Sequence, residues 1–313
     1  MMMKYIVMAF FYLGFIGILL CFPDLTIHYA YQGLTQWATR MVPTLFPFMI
    51  ISSMIIHTGV DAYFTKMLKP FLKHLFPCNS NGLYAIVMGF LCGFPMGAKA
   101  ACDLQKNKKI SKPEAEYLLA FCNNIGPTYF FGGVYPLLEQ NGYHNKLLLL
   151  FGLYGIPLLY GVFLGKLKQT DFLTKPLSDS TCMEQVVHVP IATALRLACL
   201  SSIQSILLLG GYVTFVNAFL AIPELLHFSG ITKSILGGFL EIVYGIPGIF
   251  YNKQLPSQWK AFCIMITLSF SGICCMLQTS SIIIEENLSM KKYLFHKIII
   301  TGIATIYYFV IFI

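Results

Sequence analysis

Charge is what this chain has least of. Its 313 residues carry 21 Lys and Arg and 13 Asp and Glu, 11% together, where a soluble domain carries about 25%. So few charges cannot cover a water-facing surface, which excludes an ordinary soluble enzyme or binding domain. No Gly-rich loop ending in Lys-Ser or Lys-Thr occurs, so no cradle for nucleotide phosphates exists. No serine, histidine and acid arrangement suggests a hydrolase, and no catalytic residue is expected. Paired Cys-x-x-Cys motifs are missing, and the histidines show no metal-ligand spacing, so neither a metal nor another cofactor is expected. Most of the ten cysteines sit inside apolar runs, where a thiol behaves as a small hydrophobe.

What fills the chain is apolar. It is 57% hydrophobic, with a mean hydropathy of +0.71. The apolar runs lie near 5–22, 41–60, 82–102, 117–138, 147–165, 191–221, 232–250, 259–284 and 294–313. Spanning helices need roughly 20 apolar residues, so the runs predict an all-α polytopic protein whose partner is the lipid bilayer. The first run, after Lys4, is too long for a signal-peptide core and lacks a small-residue cleavage site, and it reads as an uncleaved helix. The net charge of +8 follows from lysines in cytoplasmic loops; no nucleic-acid partner is expected. The punctuation divides the chain into 1–40 (first helix and loop), 41–140 (first repeat), 141–190 (helix and polar connector), 191–284 (second repeat) and 285–313 (last helix).

Orientation follows the Lys and Arg bias of short loops. If every run spans, nine loop cations fall inside and ten outside, which decides nothing. If 82–102 and 232–250 are re-entrant hairpins, fourteen fall inside, with Lys66, Lys69, Lys73, Lys106, Lys108, Lys109, Lys112, Lys175 and Lys297 among them. Five then remain outside: Arg40, Lys146, Lys233, Lys253 and Lys260. The hairpin reading is therefore the expectation, with kinked spanning helices as the alternative.

The interruptions agree with it. GFLCGFPMGAKAACDL, residues 89–104, puts Gly93, Pro95 and Gly97 in the middle of an apolar run and Lys99 just after. Glycine permits unusual dihedrals and a helix interior tolerates proline badly, so these residues predict a turn. AFCNNIGPTYFFGG, 120–133, places Asn123, Asn124, Gly126 and Pro127 at membrane depth, where freed backbone is tolerated only inside protein or beside water. A broken helix is expected there. The second half repeats the order, with GFLEIVYGIPGI at 238–249 and SFSGICCMLQTSS at 269–281. Gly89 and Gly238, Phe121 and Phe270, and Ser52 and Ser201 each stand 149 residues apart. In the charge-derived topology the two hairpins enter from opposite sides, which predicts an inverted repeat, and transporters bind substrate near the midplane where such repeats meet.

These blocks, with VPTLFPFMIISSMI at 42–55 and GGFLEIVYGIPG at 237–248, resemble the YlbJ-like sporulation integral membrane proteins. That family lies within the nucleoside-recognition or Gate superfamily and is related in architecture to concentrative nucleoside transporters. The resemblance implies a multi-pass inner-membrane protein of an endospore-forming bacterium, sited in a forespore membrane. It also implies a role in moving dipicolinate during sporulation.

Dipicolinate is a rigid aromatic dianion, so its site needs cations, amide donors and flat surfaces. Lys99 and Arg196 are the candidate cations, Arg196 because its fork suits a carboxylate. Lys99 snorkelling to the interface and Arg196 capping a helix end are the plain alternatives. Half-helix N-termini after Pro95 and Gly126 would face an anion with positive dipole ends. Asn123, Asn124 and Gln278 offer amide hydrogens; Phe94, Tyr129 and Tyr244 offer rings. Glu241 fits a coupling proton or sodium ion, or an ion pair with Lys99 or Arg196. The expected partners are thus a small-molecule anion, a coupling ion and, as an open option, a second copy of the chain. Glu114 and Glu116, after Ser-x-Pro, read as first-turn residues of a helix. The rival functions are transport of nucleosides or other neutral solutes, and a non-transporting membrane subunit of a sporulation complex.

Overall fold

The computed structural model describes residues 2–72, 74–173 and 190–313, and every regular element among them is helical. Among the described residues, five helical runs are long and apolar enough to cross a membrane: Pro23–Thr58, Lys146–Leu167, Ile191–Leu225, Ser257–Glu285 and Met290–Phe312. Met2–Cys21 forms a further apolar helix at the start of the chain. Long apolar helices are the form in which backbone polar groups satisfy one another without water.

Local chemistry sets the boundaries. Pro23 occupies the first turn of the second helix, with Asp24 beside it at the positive end of the dipole. That helix runs through a π-helical turn at Trp37–Met41 and stops at Gly59, φ +75°, the left-handed residue that closes many helices. Residues 23–40, expected as part of a loop, are therefore helical. Pro23 starts the helix, and His28, Gln32 and Gln36 dilute its hydrophobicity without breaking it. The connector expected at 166–190 begins as helix, since Ile156–Leu173 continues into it; the rest of that connector, with Lys175, Cys182 and His188, lies outside the described residues, as does Lys73.

Two helical hairpins stand between the long elements. The first joins Ser80–Cys92, 13 residues, to Met96–Lys106, 11 residues. At 1.5 Å per residue its arms are about 20 and 16 Å long, short of a hydrocarbon core of about 30 Å. The second joins Gly230–Leu240 to Ile242–Phe250 through Glu241, with shorter arms still. Each hairpin is followed by a helix that breaks. The first opens at Ala120 after Lys112–Leu119 and resumes at Pro127. The second breaks between Ser257–Phe270 and Gly272–Glu285, where Ser271 and Gly272 both have positive φ, +80° and +73°. The order of parts in residues 42–173 thus recurs in 191–312: long helix, hairpin, broken helix, long helix.

The core gathers around the first break. Phe76 stacks on Phe121 with ring centroids 5.4 Å apart, and the Tyr117 hydroxyl donates to the Gly161 carbonyl at 2.9 Å. Ser111 caps the helix below, accepting from the Glu114 amide at 3.3 Å. Glu114 itself is buried and accepts from the Asn79 amide at 2.6 Å, tying the entry of the hairpin to the foot of the broken helix. Burial pushes the Glu114 carboxyl up to about 7.

Candidate functional site

The glycines of the first hairpin are explained by what they touch. Gly93 has φ +76°, and a Cβ there would fall 2.2 Å from the Gly126 amide nitrogen. Cβ atoms at Gly89 and Gly97 would fall 2.0 and 2.3 Å from the Cys122 carbonyl oxygen. Glycines on both arms and at the tip thus let the hairpin seat directly on the unwound backbone 120–126. Pro95 precedes the second arm as its N-cap residue, and Gly126 does the same for the helix that resumes at Pro127.

Asn123 joins the parts. Its Oδ1 accepts from the Ala98 amide at 3.3 Å. Its Nδ2 donates to Thr279 Oγ1 at 2.9 Å and to Tyr293 Oη at 3.2 Å. Its carbonyl accepts from Lys297 Nζ at 3.2 Å. One residue of the unwound segment is therefore bonded to the first hairpin, the second broken helix and the last helix. Asn124, also buried, turns back on its own chain and donates to the Phe121 carbonyl at 2.6 Å.

Lys99 lies on the far side of the same hairpin arm. It is buried, donates to Ser201 Oγ at 2.8 Å and lies 3.5 Å from Asp103. Ser201 belongs to the long helix Ile191–Ala218, so this bond joins the two halves of the chain. Lys99, Pro95, Ser201, Gln204 and Gln278 line a polar cleft of about 90 Å³ together with the carboxylates Asp103, Glu285 and Glu286. Gln278 points its Nε2 at Cys274 Sγ, 3.2 Å away, while its neighbour Thr279 bonds Asn123. The cleft and the Asn123 cluster thus lie on two faces of one helical turn.

Of the expected site residues, Pro95, Lys99 and Gln278 line this cleft; Gly93, Gly97, Asn123, Asn124 and Gly126 belong to the hairpin seat beside it, and Arg196 and Glu241 lie elsewhere. Arg196 is exposed, more than a turn before Ser201 on the same helix, and does not line the cleft. Glu241 is buried but pairs with neither Lys99 nor Arg196. Its carboxylate accepts from the Tyr244 amide at 2.7 Å, capping the second arm of the second hairpin. A carboxylate at a helix N-terminus needs no cationic partner, because the free amides supply one. Tyr129 reaches from the first broken helix to the adjacent Ile242 carbonyl at 3.3 Å.

Lys297 is the residue that composition could not place. Counted above among cytoplasmic loop cations, it is buried, two turns inside the helix Met290–Phe312. Its ammonium sits 4.9 Å from the Phe94 ring centroid and bonds the Asn123 carbonyl, near the carbonyl end of the first half-helix. Among the described residues no carboxylate lies within ion-pair distance of it. Aromatic face and helix C-terminus both attract a cation.

Short hairpins seated on broken helices, with a lysine and amides turned into an interior cleft, define a polytopic all-helical membrane protein of the hairpin-and-broken-helix class. Within that class the chain belongs to the Gate family, described as nucleoside recognition, whose model matches residues 38–222. It is also 24% identical, over 324 residues, to the "Sporulation integral membrane protein YlbJ" of Bacillus subtilis (strain 168); the match covers 94% of this chain and 79% of that protein. No solved structure matches it.

Proposed function

We propose that the chain is a transporter of a small organic anion in a bacterial cell membrane. In this reading the two hairpins are re-entrant, the two repeats are inverted, and substrate binds where they meet. The observation that carries it is the buried Lys99, held by Ser201 across the join of the two halves and turned into a polar cleft. Intramembrane cations are costly and mark substrate or ion pathways. Small-molecule pockets measure about 300–1,000 Å³, so the cleft of about 90 Å³ reads as a closed state. Loading requires the hairpin to move away from the helix Ile191–Ala218.

The relative's name, a sporulation integral membrane protein, supports a membrane role in endospore formation; a place in a forespore membrane rests on family resemblance. Dipicolinate is then the favoured anion, by family resemblance. A second reading has an observation of its own: Asp103, Glu285 and Glu286 line the same cleft, and these carboxylates favour a neutral solute such as a nucleoside, in keeping with the family description.

Counterflow in proteoliposomes tests both. Dipicolinate uptake that is lost in Lys99→Gln supports the anion reading. Nucleoside uptake without dipicolinate uptake moves the substrate to the second. No uptake of either, from folded protein, leaves a non-transporting subunit of a sporulation complex. Single-cysteine probes in 61–81 and 103–115 that label from one face support re-entry; labelling from opposite faces overturns it.

A further inference from the structure

The second hairpin carries a larger opening than the cleft beside the first. A groove of about 400 Å³ lies between its arms, within the size range of small-molecule sites. The first arm lines it with Gly230, Lys233, Ser234 and Gly237. That spacing, i, i+3, i+4 and i+7, is one face of a helix. In a chain with so little charge, this arm gathers its lysine and serine on that face. Lys233 and Ser234 on this face are met by Glu224 and Asn252, so Lys253 is the cation that the groove leaves without an ion-pair partner among the described residues.

The floor and mouth are built. Gly248 lines the groove, and a Cβ there would meet nothing within 4 Å. The space above it is left open although packing does not require a glycine. At the mouth, Asn252 Nδ2 donates to the Gly230 carbonyl at 2.8 Å and to Ser234 Oγ at 3.0 Å, clamping the arm ends together. Tyr244 supplies an aromatic wall and Lys253 a second cation. Lys233 is paired with Glu224 at 2.9 Å, while Lys253 is exposed and makes no ion pair among the described residues. No lining residue is acidic, whereas the Lys99 cleft has three carboxylates beside its two lysines.

We propose that the groove between the arms of the second hairpin binds a small organic carboxylate, with Lys253 as its cation, Asn252 and Tyr244 beside it and Gly248 as its floor. The class of ligand rests on the transport reading above; the place of the site does not.

The test is equilibrium binding of pyridine-2,6-dicarboxylate to full-length protein in phosphatidylcholine nanodiscs, with counterflow measured in parallel. Two variants probe the groove. Gly248→Leu fills it without a backbone clash, and Lys253→Glu reverses an exposed charge that no fold contact needs. Each is expected to weaken binding at least tenfold. Wild-type affinity in both variants overturns the proposal, as does the absence of any binding by the wild type. Binding lost in both variants, with no counterflow by the wild type, supports the site and removes the transport reading. Counterflow abolished by Lys99→Gln but untouched by Gly248→Leu and Lys253→Glu, with binding also untouched, does the reverse. Binding abolished by phosphatidylglycerol in the disc assigns the groove to a lipid headgroup and overturns the proposal.

Discussion

The ammonium of Lys297 donates to the backbone carbonyl of Asn123 at 3.2 Å, inside the helical bundle and beneath the Phe94 ring. A buried charge without a carboxylate is costly to keep. Replacing it with an apolar side chain of similar length removes that cost. Lys297→Met is therefore expected to hold or raise Tm in detergent while abolishing counterflow. Lys297→Ala, which leaves a cavity, is expected to lower Tm by several degrees. Loss of Tm in the Met variant together with retained flux would show that the ammonium only props the fold.

Gly97→Ala places a methyl group 2.3 Å from the Cys122 carbonyl oxygen. Backbone must shift to admit it, at a cost of about 1–3 kcal/mol. Gly302 has open space around its missing Cβ and lies within the helix Met290–Phe312, so Gly302→Ala is expected to gain up to about 1 kcal/mol. Thermal unfolding of the two variants beside the parent decides this. Equal effects would mean that the hairpin does not rest on the unwound chain.

Glu114 gives a pH dependence of defined sign. Its folded-state carboxyl titrates at about 7, above the ordinary value of 4.5. The folded protein then holds this proton more tightly than the unfolded chain. The contribution to stability is complete below about pH 4.5 and is lost as pH rises through about 7. Gln keeps an oxygen for the Asn79 amide and carries no charge. Glu114→Gln is expected to leave Tm unchanged at pH 5 and to raise it by a few degrees at pH 8. A Tm gain at pH 5 as large as that at pH 8 would refute the titration.

The two candidate cations should separate in function. Lys99 lines the cleft and Arg196 does not. Lys99→Ala is expected to cut counterflow at least tenfold, and Arg196→Gln to leave it within twofold. The opposite pattern would move the site to the start of the helix Ile191–Ala218.

Much of the architecture is written locally and is therefore legible. Gly93 with Pro95, and Gly126 with Pro127, mark the first turn and the first break, although the same Gly-x-Pro spacing at Gly245 and Pro247 stays inside the helix Ile242–Phe250. The reading fails where tertiary neighbours decide. Lys297 follows Lys291 and Lys292 and looks like the flank of a span; only packing reveals that it lies two turns inside. Arg196 suits a carboxylate by type, but its helix turns it outward. Glu241 shows as a buried acid, but its role as a cap depends on a helix starting at Ile242, because its partner is the backbone amide of residue 244, which the side chain there does not announce. The stretch 23–40 escaped because scattered amides and a histidine lower its hydropathy without changing its helical phase. Ser201, half of the bond that joins the two halves, carries no local signal beyond its 149-residue relation to Ser52.

The contact between the first hairpin and the unwound chain is bare on both sides. Gly89, Gly93 and Gly97 meet the Cys122 carbonyl and Gly126 with backbone against backbone. Surfaces that interlock through side chains must unmesh before they slide. This one has no teeth to unmesh, so what fixes the hairpin's position along the unwound segment is the few polar bonds of Asn123 and Lys99; if the chain transports, those bonds are the latches that any movement of the hairpin must release.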